Sequence, residues 1–217
     1  MNRAAELQDI YDRLYRFFGP QNWWPAESKL EMVVGAVLTQ NTNWQNVCTA
    51  IDRLRAEGLL SYEGLSGLTV DSLAFFIKSS GYYNLKARRL KNLLQMIAEV
   101  YDGSLDNLLQ DDPWTARESL LLVKGIGPET ADSILLYAGD QPFFVVDAYT
   151  HRVFSRHNLV ADDCDYETLQ NLFMDNLSHD AHFFGEYHAL IVLTAKEFCK
   201  KNRPLCEKCP LFKGVVY

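Results

Sequence analysis

The sequence is short of several things, and each shortage excludes something. No apolar run approaches the ~20 residues of a membrane-spanning helix, so no membrane partner is expected. Residues 1–12 alternate acidic, basic and apolar side chains and lack the apolar stretch of a secretory leader, which makes the cytoplasm the expected location. Only five of the 217 residues are cysteine, too few for a disulfide-stapled miniprotein. Sequence repeats and low-complexity tracts are missing. So is any alternating pair of strands; Phe143, Phe144, Val145 and Val146 form an apolar run too isolated for a sheet. What remains is 48% hydrophobic and 23% charged, an ordinary globule long enough for one or two domains with a sizeable core.

Positive charge is also missing from one long stretch. No Lys or Arg occurs between Arg156 and Lys196, while Asp162, Asp163, Asp165, Glu167, Asp175, Asp180 and Glu186 all fall there. Setting those seven acids aside leaves the rest of the chain with 21 acids and 21 bases. The net charge of −7 and pI near 5.2 therefore come from a single segment. From residue 72 to 98 the only charges are Lys78, Lys86, Arg88, Arg89 and Lys91, and from Lys196 on there are six bases against Glu197 and Glu207. An acidic pI argues against a nucleic-acid partner only if the charge is spread evenly.

The apolar spacing reads as helix throughout, and the fold class expected is all-α with short connections. Ser28 or Glu27 precedes a helical face of Leu30, Val33, Val34, Val37 and Leu38. Thr42 or Asn43 can cap a helix running to Leu54, and Thr69 one over residues 70–79. Asn84 can cap a long helix carrying Leu90, Leu93, Leu94, Ile97 and Val100; Thr115 begins another. Pro128 suits a first turn because the N–H it lacks is unpaired there anyway. Further helices are expected over residues 147–156, 165–177 and 182–199.

Residues 120–137 are the most informative. Helix gives way to Gly125, Ile126 and Gly127, and helix resumes at Pro128. Two glycines allow a turn too tight for side chains, with Ile126 plugging the joint. The N–H groups of Gly125, Gly127 and the helix start through Thr130 can then receive a phosphate without any cation. An ordinary helix turn is the bland alternative.

This segment resembles the helix-hairpin-helix motif of the endonuclease III superfamily of DNA glycosylases. Four other segments are similar to that family's in the same order: Leu38-Thr39-Gln40-Asn41-Thr42, Gly81-Tyr82-Tyr83-Asn84-Leu85-Lys86-Ala87, Val146-Asp147 with Arg152, and Cys199 with Cys206 and Cys209. The resemblance runs from about residue 23 to the C-terminus. It implies two helical lobes, residues 23–137 forming a six-helix lobe and residues 1–22 with 138–217 the other, with a cleft that takes a nucleotide rotated out of the duplex. It also implies a monomer acting on double-stranded DNA that carries a damaged base, cytoplasmic and nucleoid-associated, of bacterial or archaeal type.

The same resemblance assigns the chemistry. Asp147 matches the acidic residue that assists loss of the base, although a helix cap is the plain reading of an Asp there. Glu129 stands where strand-cleaving members carry a lysine, and a carboxylate cannot form an imine. Water is then the expected nucleophile, and Lys124, before the glycines, is poorly placed as a substitute. Trp23, Trp24 and Trp44 resemble the aromatic sandwich of the 3-methyladenine glycosylase branch, which also carries glutamate at position 129. A cationic alkylated purine suits such a pocket, although any single Trp is more often core. Lys196 matches a basic residue that contacts phosphate or the pocket. Gln40 and Asn41 could enter the gap left by a flipped nucleotide. Lys86, Lys124 and the hairpin are the expected DNA contacts, and the acidic face around residues 162–180 is expected to point away.

Cys199, Cys206 and Cys209 have the spacing of the family's [4Fe–4S] loop, but the fourth position is Val215. Three thiolates could hold a cluster with a non-cysteine ligand, or zinc with another donor, or be a relic; a bound cluster that stiffens the loop is the expectation, because Pro204 and the Cys206 to Leu211 context match the family's loop. Cys48 reads as core. Rivals to an alkylpurine glycosylase are a mismatch thymine or uracil enzyme, an oxidised-base enzyme, a non-catalytic damage binder, and a helical protein with no DNA role.

Overall fold

The computed structural model describes residues 2–212, which excludes Val215. The described residues hold twelve α-helices and no strand. The chain falls into two compact units, one of residues 1–25 with 142–217 and one of residues 26–141.

The second unit is built around α2 (Lys29–Thr39) and α9 (Pro128–Gly139), which pack together. Val33, Val34, Val37 and Leu38 of α2 and Ala131, Ile134, Leu135 and Leu136 of α9 are buried. Truncating one of these, such as Leu38→Ala, should cost about 2–5 kcal/mol. Around them stand α3 (Trp44–Ala56), α4 (Tyr62–Gly67), α5 (Val70–Phe76), α6 (Tyr83–Val100), α7 (Leu105–Gln110) and α8 (Pro113–Leu121). Asp132 of α9 is fully buried and accepts from Arg117 of α8 through two hydrogen bonds, 2.6 and 3.1 Å. That pairing fixes the rotation of α9 and so the hairpin that begins it.

The first unit packs α1 (Arg3–Phe18) and α10 (Ala148–Arg156) on α12 (Ala181–Glu197), with α11 (Tyr166–Met174) completing it. Leu7, Ile10 and Leu14 give α1 one buried face. The isolated run at residues 143–146 is buried without forming a strand. Its Phe144 stacks on Phe173 at 3.6 Å and meets Phe184 and Tyr187 edge-on. The Tyr187 hydroxyl donates to the Leu7 carbonyl at 2.8 Å, tying α12 to α1.

Several helix starts differ from expectation. The α6 helix begins after Tyr82, in a left-handed conformation at φ 44°, so Asn84 lies inside it rather than capping it, and Val100, expected on its apolar face, is exposed at its last position. Asp112 caps α8 with Pro113 in the first position, two residues before Thr115. The Thr69-capped helix stops at Phe76 and a 3-10 turn, Lys78–Ser80, completes the run. The short α4 and α7 carry too little periodicity to be read from sequence.

Candidate active site and DNA-facing elements

Asp147 ends the buried run of residues 143–146 and is the N-cap of α10. Its Oδ1 accepts from the Tyr149 N–H at 2.9 Å, the Thr150 N–H at 2.7 Å and the Thr150 hydroxyl at 3.0 Å. Its Oδ2 faces Nε2 of His188 on α12 at 3.5 Å. Burial alone pushes this carboxyl up. The His188 ring and the Thr150 donors more than offset that, and the net shift is below the ordinary carboxylate value. The cap and the charged carboxylate are thus one arrangement, and the two readings of Asp147 do not compete. His188 was not singled out in the sequence, because a lone His on an apolar helix carries no periodic signal.

About two turns further along α12 from His188, Lys196 is exposed. Its Nζ lies 5.8 Å from the ring centres of both Trp23 and Tyr149. Tyr149, two residues after Asp147, is a second site residue that the sequence reading missed. The segment carrying Trp23 and Trp24 is held at its start by Glu186, whose buried carboxylate accepts the Gln21 N–H at 2.6 Å. Asn22 (φ 47°) and Trp24 (φ 145°) both adopt positive φ, a strain of order 1–3 kcal/mol each. Both tryptophans are half-buried. Asp147, His188, Tyr149, Lys196, Trp23 and Trp24 all belong to the first unit.

The remaining expected residues belong to the second unit. Trp44 opens α3, half-buried, behind the Asn43 cap. Glu129 is exposed in the first turn of α9. In the hairpin, Lys124 and Gly125 are exposed, while Ile126 is 5% exposed and plugs the joint, so it is a packing residue rather than a contact. Gly125 sits at φ 99°, and a Cβ there would collide with the Arg89 side chain. Gly127 caps α9 with no side-chain hydrogen bond.

Lys86 corrects the expected list of DNA contacts. It is 1% exposed, and its ammonium donates to the carbonyls of Leu38 at 2.8 Å and Ser80 at 2.6 Å. It braces the end of α2 and cannot reach a phosphate. Burial, then Arg89, brings its pKa down to about 8. Thr130 is likewise 6% exposed, and its hydroxyl accepts from Gln40 Nε2 at 2.8 Å. Gln40 is half-buried and also meets the Gly125 carbonyl and Arg89, whereas Asn41 is exposed at φ 54°.

In the cysteine loop, Cys199 is buried, Cys206 exposed and Cys209 half-buried. Among the described residues no group of three or more His, Cys, Asp or Glu is gathered to hold a metal ion. Burial, and beyond it the thiols of Cys199 and Cys206, push the Cys209 thiol up. With valine at the fourth motif position, the residues present do not fit a four-thiolate cluster. Arginines pin the loop instead. Arg152 donates to the Cys199 carbonyl at 2.7 Å, Arg156 to Lys200 and Lys201 at 2.7 and 2.9 Å, and Arg13 to Pro210 at 2.7 Å.

A helix, a glycine turn, a second helix and a capped aspartate after it define a class. The chain belongs to the HhH-GPD superfamily of base excision DNA repair proteins, which it matches over residues 34–179. It is 46% identical over 212 residues to a candidate DNA repair glycosylase of Methanocaldococcus jannaschii, covering 97% of this chain and 96% of that one. It is similar to the H. pylori 3-methyladenine DNA glycosylase MagIII, solved with 1,N6-ethenoadenine, at TM-score 0.76 and 30% identity over 90% of this chain and 98% of that one. A trapped endonuclease III–DNA covalent intermediate shares the fold at TM-score 0.82 and 22% identity over 97% and 94%. No helix among the described residues is long and apolar enough to cross a membrane.

Proposed function

We propose that this DNA glycosylase is monofunctional: it binds duplex DNA, releases a damaged base with water as nucleophile, and leaves the strand uncut. The observation that carries this is the Asp147 site, a carboxylate fixed by three hydrogen bonds to its Oδ1 with its Oδ2 3.5 Å from His188 Nε2. As the glycosidic C–N bond breaks, positive charge grows on the sugar. A fixed carboxylate stabilises that charge and takes the proton of the water that adds to C1′. Glu129 at the family's lysine position supplies no amine for an imine. The hairpin backbone at Gly125 and Gly127 receives a phosphate. Trp23 and Trp24, with Trp44 carried over from the family resemblance, hold the base.

An alkylated purine is the substrate we favour. Cationic at a ring nitrogen, it leaves as a neutral molecule and needs no general acid. One observation favours a second reading. The Lys196 ammonium lies beside the Trp23 and Tyr149 rings and disfavours a cationic base on that side, so a neutral damaged base is the alternative. Duplexes carrying single lesions, scored for free base with and without alkali, decide between them. Free base appearing with scission only after alkali supports the monofunctional reading; scission without alkali refutes it.

Against the expectation of a bound cluster, the proposed reading is a cysteine loop held by arginines that needs none. A preparation without absorbance near 400 nm and without iron is expected. About four irons per chain would restore the cluster.

A further inference from the structure

One face of α6 carries a row of polar side chains that ties together two segments of the second unit. Lys86, Arg89 and Asn92 stand three residues apart, so they share that face. Lys86 holds the end of α2 through the Leu38 carbonyl. Asn92 Nδ2 donates to the Lys124 carbonyl at the hairpin, at 3.0 Å. Between them, Arg89 Nη1 donates to Oε1 of Gln40, and Nε2 of Gln40 donates to Oγ1 of Thr130 at 2.8 Å and to the Gly125 carbonyl at 3.3 Å. Both ends of the Gln40 carboxamide are thereby engaged inside the unit. Gly125 has no side chain where the Arg89 stem passes, and any Cβ there would meet it. The next residue, Asn41, is exposed, with φ 54°.

We propose that Arg89 is a positioning residue that, through Gln40, locks the turn after α2 to the hairpin, so that Gln40 is a strut and Asn41 is the side chain this turn presents to DNA. This rests on the DNA-glycosylase reading, but the strut itself is testable without DNA. Its purpose is register: two segments that must meet one duplex together are fixed to each other before the duplex arrives, which lowers the ordering cost on binding.

The first test is the side-chain amide of Gln40, followed by 15N NMR in the free protein. Arg89→Met keeps the apolar stem against Gly125 and removes only the guanidinium. It should shift the Gln40 amide resonances and speed their hydrogen exchange, while Arg89→Lys restores part of the protection. The second test is single-turnover base release from methylated duplex at saturating protein. Arg89→Met and Gln40→Ala should each slow release about tenfold, the loss expected for one charge-assisted hydrogen bond. The double variant should be no slower than either single one. Asn41→Ala should slow release by a factor that multiplies with theirs. A Gln40 amide indifferent to Arg89→Met overturns the strut. So does a slow Gln40→Ala beside a normal Arg89→Met, which would mean that Gln40 acts on the DNA by itself. Multiplicative losses for Arg89 and Gln40 overturn it as well. If the wild type releases no base from any lesion, the glycosylase reading falls, and the amide measurement alone then judges the strut.

Discussion

The two helix starts on which the account depends are built in opposite ways. The α10 start brings its own anion: Asp147 closes the N-terminus with three hydrogen bonds to its Oδ1. The α9 start brings none, since Gly127 offers no side chain and Pro128 follows in the first turn. Ten of the twelve described α-helices carry a side-chain cap, and only α6 and α9 do not. A filled N-terminus stabilises a fixed negative charge for chemistry. An open one leaves its amides to an anion from outside, which in the proposed function is a DNA phosphate. On the proposed function, the contrast also reconciles a net charge of −7 with DNA binding: at the hairpin the proposed donors are backbone amides, which that net charge does not count.

The sharpest way to break this contrast is Asp147→Asn. Asparagine caps as well as aspartate, so helix α10 and lesion binding should persist while base release falls at least about 100-fold. Melting temperature and lesion binding, measured beside the rate, show whether the fold survived. On the other start, Gly125→Ala forces an alanine to φ 99° against the Arg89 stem. A stability loss of about 1–3 kcal/mol is expected, with weaker binding to damaged and undamaged duplex alike, read by denaturant melts and a salt-dependent filter assay. The α9 amides receive a phosphate of any sequence, so this loss should not depend on the lesion.

His188→Gln sharpens the comparison through pH. Asp147 is depressed in the fold, so its ionised form is favoured above the unfolded value and lost as pH falls through the lower folded one. Removing the imidazole should raise the Asp147 pKa. The acid limb of the rate–pH profile should then move to higher pH, with little change well above it. A profile that keeps its acid limb would show that His188 does not tune the carboxylate. The smallest effect concerns Lys86, whose pKa is lowered to about 8 by burial. Between roughly pH 8 and its unfolded value near 10.4 the unfolded chain binds more protons, so this lysine should make stability rise across that window. Lys86→Met should flatten that rise in chemical denaturation at a series of pH values.

Much of this was legible in the sequence, and what was missed shares a physical cause. Ser28, Asn43, Thr69 and Asp147 cap the helices they were expected to cap, because a cap is a contact within three residues. The glycine hairpin declared itself in the same local way. His188 and Tyr149 did not, since their roles depend on α12 lying against α10. Lys86 and Gln40 are expected at the DNA from their polarity and from the family's motifs. Both turn inward, Lys86 because two carbonyls at the α2 end and the 3-10 turn need a donor, Gln40 because Arg89 and Thr130 meet it across the unit. The cysteine spacing survives in the sequence, while the loop is held by guanidinium–carbonyl hydrogen bonds that no spacing rule anticipates.

The central claim is that Asp147 carries chemistry as well as a helix cap. Its most direct test is free base released from methylated duplex under single-turnover conditions, by the wild type and by Asp147→Asn at equal lesion occupancy. Release by the wild type and near-complete loss in the variant, with α10 still folded, are expected. Normal release by Asp147→Asn would contradict it and reduce Asp147 to a cap.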